Sequence, residues 1–106
     1  MPKDTLGEFE HLVLLAILQA GDDAYGVPVM DEIQQRTGRR FAPAAVYVTL
    51  RRLEENGLIR SRLEDPAEGK PRRFVEVTDQ GLALLRSTRR AITSMWEGLD
   101  PVLEDG

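Results

Sequence analysis

The sequence of 106 residues contains no cysteine. That excludes a disulfide frame, a thiolate metal site and a cysteine nucleophile. It has one histidine, His11, and its carboxylates are scattered, so residue types alone assemble no nucleophile–base pair and no metal-ligand set. An enzyme is not expected, nor is a cofactor or metal. Long apolar runs are lacking too. The stretch Leu12 to Leu18 is too short to span a bilayer, and nothing resembles a signal peptide. A cytoplasmic protein without membrane contact is the expectation. Aromatic residues make up 6% of the chain, with a single tryptophan, Trp96. There are no internal repeats and no low-complexity tracts. The length fits one domain with a modest core.

The charge that is present is unevenly placed. The net charge is −4, which by itself argues mildly against a polyanionic partner. From Arg36 to Arg73, however, ten basic residues face five acidic ones, a net +5. The rest of the chain has four basic against thirteen acidic residues, a net −9. A basic middle between acidic ends predicts one face built for a polyanion and another that is not.

Hydrophobic spacing divides the chain into helices around that basic middle. The order Thr5-Leu6-Gly7-Glu8 has the form of a capping box and predicts a first helix from near Thr5 to Ala20. Phe9 and the run from Leu12 leave almost no polar side after His11, so this helix must be covered on more than one side. In so small a domain the second cover is expected to be another chain. A second helix is expected from Val27 to Thr37, with Met30, Ile33 and Thr37 inward and Gly38 closing it.

The central element spans Pro43 to Gly57. Val46, Leu50 and Leu53 recur at four- and three-residue steps and face inward. Pro43 suits a first helical turn, Asn56-Gly57 ends the helix, and Leu58 can fold back on Leu53. The other side carries small residues at its N-terminal end and arginines further along. A helix entering a DNA major groove needs room at the tip, donors for base edges and positive charge for phosphates. The alternative is a solvated face with Arg51 and Arg52 paired to Glu54 and Glu55. Two short helices joined through a glycine-containing connection favour the helix-turn-helix layout.

After Gly57 the period drops to two. Ile59, Ser61 and Leu63 alternate with Arg60 and Arg62, and Arg72 to Thr78 forms a return strand. Between them, Asp65 to Pro71 is a loop rich in turn residues. Thr78 caps a last helix that is expected to run to Asp100, where Pro101 stops it. Leu85, Thr88, Ile92, Met95 and Leu99 make a coiled-coil-like seam along it. The expected organisation is a DNA-binding unit over residues 5–78, a dimerisation helix over 79–100 and an acidic tail over 101–106. The fold class is mainly α with a two-stranded β wing, a winged helix-turn-helix followed by a dimerisation helix.

Particular residues carry the reading further. Tyr25-Gly26, then Ala45-Val46-Tyr47-Val48-Thr49-Leu50-Arg51-Arg52-Leu53-Glu54, Gly57-Leu58-Ile59, Arg72-Arg73-Phe74 and Val77-Thr78 with Gly81 resemble the PadR family of bacterial transcriptional regulators. The likeness runs from about Leu6 to Gly81. Departures are small: relatives often carry Ser or Thr where Ala42 stands, and Tyr where Phe74 stands. The single C-terminal helix is similar to the family's short branch.

The resemblance implies a homodimeric DNA-binding regulator, usually a repressor; for such a dimer the expected target is an inverted repeat. The resemblance also implies dimerisation of the last helix against the partner's first and last helices. On the DNA side it implicates Tyr47 and Thr49, with Arg73 at the base of the wing. Chemistry and position add Tyr25, Ala44, Ala45, Arg51, Arg52, Lys70 and Arg72. Leu12, Leu15, Leu85, Ile92, Met95, Trp96 and Leu99 are the expected dimer contacts. Some relatives respond to small aromatic molecules, and Trp96 beside Met95 is the candidate effector pocket, with plain interface packing as the alternative. The rival class is a winged helix used for protein contact without DNA, which the negative total charge keeps open.

Overall fold

The computed structural model describes residues 5–66 and 69–104. Helix α1 spans Glu8–Ala20, α2 Gly26–Thr37 and α3 Pro43–Glu55. The antiparallel strands β1 (Ile59–Glu64) and β2 (Arg72–Val77) follow, then α4 (Asp79–Trp96) and a short α5 (Asp100–Glu104). This is the mainly α chain with a two-stranded wing that the residue pattern predicts.

The core lies where α1, α2 and α3 meet the root of the hairpin. Val13, Leu14 and Ile17 pack with Val29 and Ile33, with Val46 and Leu53, and with Leu58, Ile59, Val75 and Leu85. Burying such a side chain contributes roughly 1.5–3 kcal/mol, so this cluster sets the angle between the helices. The end of α3 forms as its residues dictate. Gly57 takes φ 76°, the left-handed region that glycine adopts without a Cβ penalty. Leu58 N–H donates to the Leu53 carbonyl at 2.9 Å and Gly57 N–H to that of Glu54 at 3.0 Å, the double bond pattern of a Schellman cap.

Two further links fix the wing. Thr78 caps α4 by accepting from Gly81 N–H at 3.1 Å, and its hydroxyl donates to the Gly57 carbonyl at 2.7 Å. On the other edge of the hairpin, Val75 N–H donates to the Ala24 carbonyl at 2.8 Å. The turn before α2 therefore serves as a second partner for β2, and the wing is bonded at its root to both ends of the helix-turn-helix.

Several boundaries differ from the sequence reading. Helix α1 starts at Glu8 with Gly7 as its N-cap, not near Thr5. Glu10 takes the role assigned to Glu8: its Oε1 accepts from Gly7 N–H at 2.9 Å. In α2, Val29 is buried, while Thr37 is exposed and bonds the Ile33 carbonyl at 2.6 Å. Helix α4 ends at Trp96 rather than Asp100. Gly98, at φ 79°, breaks it, because a left-handed residue cannot continue a right-handed helix. Pro101 then stands in the first turn of α5, where its missing N–H costs nothing; it opens a helix instead of closing one. Of the expected acidic tail, residues 101–104 belong to α5, and Asp105 and Gly106 lie outside the described residues. So do Ala67 and Glu68 of the wing loop.

The distal half of α4 stands clear of the core. The Cα radius of gyration is 15.6 Å, against about 13 Å for a compact domain of this length. Ile92, Met95, Trp96 and Leu99 are all exposed on this projecting segment, Met95 to 75%. Leu15 and Leu18 of α1 are also exposed, and with Leu82, Leu85 and Ile92 they line a groove of about 480 Å³ between α1 and α4. His11, Arg86 and Arg89 also line it. Leu85 differs from the expectation: it is 7% exposed and belongs to the protomer's own core. Leu12 is partly buried against that core.

Candidate nucleic-acid interface

The outer face of α3 presents Ala44, Ala45, Tyr47, Val48, Arg51 and Arg52, all exposed. The N-terminal turn is small, with no side chain larger than proline over residues 42–45. Thr49 departs from the expected set. It is 8% exposed, because it falls on the inward side between Val46 and Leu53, so it packs the helix and offers no hydroxyl outward.

Beside α3 lies the start of α2. Its N-cap, Tyr25, makes no side-chain cap, and its first turn holds no acid. The Gly26 and Val27 N–H groups therefore have no intrahelical acceptor, and Pro28 has none to satisfy. Tyr47 covers this end: a Cβ on Gly26 would stand 2.5 Å from the Tyr47 hydroxyl oxygen. Glycine here is what lets the ring lie against the helix terminus. Gly26→Ala is expected to displace the half-exposed Tyr47 ring rather than the backbone. The predicted outcome is weakened DNA binding, about tenfold for a lost contact of roughly 1.4 kcal/mol, with a thermal midpoint near that of wild type. Calorimetry beside a gel shift checks it.

The wing closes the other side. The Arg72 guanidinium lies 4.8 Å from the centroid of Tyr25, which meets Phe74 edge-on at 5.4 Å. Arg62 covers the Phe74 ring at 4.9 Å. Such cation–aromatic contacts hold an arginine by its face and leave its N–H edge for other partners; Arg62 gives its Nε to Glu64 at 3.1 Å. Tyr25, Gly26, Tyr47, Lys70, Arg72 and Arg73 border a cleft of about 470 Å³. Tyr47, Arg51, Glu54 and Arg73 border a second, of about 400 Å³, between α3 and the wing.

The ion pairs sort the basic residues. Arg36 pairs with Glu32 at 2.8 Å, Arg60 with Glu76 at 2.9 Å and Arg62 with Glu64 at 3.1 Å; Arg39 pairs with Glu8. Arg40, Arg51, Arg52, Lys70, Arg72 and Arg73 are in no ion pair among the described residues. The solvated-face alternative paired Arg51 and Arg52 with Glu54 and Glu55, and those pairs do not form. Five of these six cations are the ones chosen from sequence as DNA contacts; Arg86, Arg89 and Arg90 of α4 are likewise in no ion pair among the described residues.

A family model described as "Transcriptional regulator PadR-like family" matches residues 14–87, from the middle of α1 through the wing into α4. The chain belongs to the PadR family. It is 34% identical over 76 residues to the transcriptional regulator Rv3488 of Mycobacterium tuberculosis, covering 72% of this chain and 69% of that protein. A PadR family regulator from Eggerthella lenta superposes with a TM-score of 0.70 at 28% identity, covering 93% of this chain and 88% of the other. A PadR family regulator from Clostridium difficile shares the fold, with a TM-score of 0.75 at 20% identity over 90% of this chain and 98% of that one. This PadR protein is thus a transcriptional regulator and not an enzyme. Among its described residues no group of three or more His, Asp or Glu is placed to hold a metal, and no helix is long and apolar enough to cross a membrane.

The sequence reading missed Gly26 as the seat of Tyr47, and it missed Ser61, whose hydroxyl meets Glu54 and Arg73. The only signal for Ser61 was a polar residue on the inward phase of an alternating strand.

Proposed function

We propose that this PadR protein is a homodimeric, sequence-specific DNA-binding repressor of an inverted-repeat operator. One observation carries the reading: a single face gathers a small-residue helix tip, unpaired arginines, an uncapped helix N-terminus and the cations of the wing. The tip of α3 enters the major groove. Arg51 and Arg52 supply donors to base edges or phosphates, and Tyr47 lies toward the backbone. A phosphate beside the exposed Val27 at the start of α2 meets the positive end of the helix dipole, with Tyr25 and Arg72 next to it. Lys70, Arg72 and Arg73 follow the adjacent strand. The two recognition helices of a dimer lie about 34–36 Å apart, or a multiple of that, to enter grooves on one side of the duplex. A dimer seated on a promoter keeps polymerase out, which is repression.

Gel shifts on the upstream promoter over a salt series test this. Affinity is expected to fall steeply with salt, because each neutralised phosphate releases counterions. Arg51→Ala is expected to cost about 1–3 kcal/mol and to relax specificity if Arg51 reads a base. Arg73→Ala is expected to weaken every duplex alike and to lower the salt slope by about 1. Unchanged affinity in both variants removes these roles, and salt-independent behaviour of the wild type returns the protein to the protein-contact class.

The same reading extends to an effector. Trp96 is 49% exposed and Met95 more so, which leaves an aromatic surface to be shared between two copies. A planar aromatic compound stacking there would alter the spacing of the two recognition helices. Titration with planar cationic or phenolic compounds is expected to quench Trp96 fluorescence and to lower DNA affinity together. Neither change across the panel means that Trp96 is interface packing.

A further inference from the structure

Three polar side chains from three elements meet at the root of the wing. Ser61 of β1 is half-buried, and its hydroxyl donates to the Glu54 carboxylate of α3, 2.8 Å from Oε2 and 3.0 Å from Oε1. The same oxygen accepts from Arg73 Nη1 of β2 at 3.1 Å. A hydroxyl has one proton to give, so the bonds run in one direction, from guanidinium through hydroxyl to carboxylate. Glu54 and Arg73 both line the 400 Å³ cleft that also holds Tyr47 and Arg51. A carboxylate on a face meant for a polyanion works against binding by simple repulsion. Its place there is explained by what it holds. Ser61 uses only one of the five N–H donors of Arg73 and leaves the others for a phosphate.

We propose that Ser61 is a positioning residue of the DNA interface: the Glu54–Ser61–Arg73 relay locks the wing to the recognition helix and holds the Arg73 guanidinium at the phosphate track. The inference rests on the DNA-binding reading above. Without the hydroxyl, Arg73 and Glu54 are separate exposed side chains, and each must be ordered anew when the duplex arrives.

The test uses the full chain, a duplex selected from a random pool by the wild-type protein, and a scrambled duplex of equal length. Ser61→Ala is expected to weaken binding to the selected duplex about tenfold and to lower the slope of log affinity against log salt by about 1. Its thermal midpoint is expected to match wild type. Ser61→Thr, which keeps the hydroxyl, is expected to restore both affinity and slope. On an Arg73→Ala background, Ser61→Ala is expected to add nothing, as a shared pathway requires in a double-mutant cycle. Wild-type affinity and slope in Ser61→Ala overturn the inference, and so does an equal loss with Arg73 already removed. A wild-type protein that enriches no duplex overturns the DNA-binding reading itself, and this inference with it.

Discussion

Aspartate placed at both Ile92 and Met95 is expected to leave a folded monomer whose operator affinity is lower by about 10²–10⁴-fold, the usual worth of a second linked binding module. Both side chains lie on the projecting half of α4, 49% and 75% exposed, so the protomer's core does not depend on them. Burying either carboxylate between two copies leaves a charge without a partner, which a dimer interface does not tolerate. Near them, Trp96, Leu99, Val102 and Leu103 are also exposed, and exposed apolar residues gathered on one segment are the kind of surface a second copy would cover. Light scattering and gel shift together decide the matter. A double variant that remains dimeric, or a monomer that binds the operator as tightly as wild type, defeats the prediction.

Leu53→Ala is expected to cost about 2–5 kcal/mol out of a total stability of roughly 5–15 kcal/mol. Leu53 is fully buried, and its carbonyl receives the Leu58 N–H that closes the end of α3. The lost side chain leaves a cavity in the core cluster that α1, α2, α3 and the root of the hairpin share, and a close-packed interior collapses only partly to fill it. Urea unfolding at fixed protomer concentration measures the loss, since a dimer's midpoint moves with concentration. Arg51→Ala, two residues away on the exposed face, is expected to stay within about 0.5 kcal/mol of wild type. The pair separates the two faces of one helix: one change lowers stability and the other lowers binding. A Leu53→Ala protein as stable as wild type would mean that α3 is held by something other than its inner face.

Local chemistry alone was sufficient for much of this protein. Val46, Leu50 and Leu53 at helical spacing, Pro43 at one end and Asn56-Gly57 at the other define α3 without reference to any neighbour, because spacing and caps act within a few residues. The alternation from Ile59 to Leu63 likewise defines a strand, and Thr78 a helix start. The PadR likeness was legible because these local signals fall on the residues that carry the family pattern. Two starts and stops were misread for the same local reason. Glu8 and Glu10 are equally plausible partners for a cap, and Gly98 and Pro101 equally plausible helix ends; nothing nearby ranks them.

Tertiary packing decided the rest. Leu85 was drawn into the protomer's core by contacts with distant elements, whereas Thr49 lies inward by the helical phase it shares with Val46 and Leu53. Which arginines stay free was also beyond local reading, since Arg39 finds Glu8 and Arg60 finds Glu76 across long stretches of chain. The meeting of Glu54, Ser61 and Arg73 exists only once the hairpin has docked on α3, and that of Tyr47 with Gly26 only once α3 has packed on α2. Side chains remote in sequence acquire a distance from one another only when the core fixes the elements that carry them.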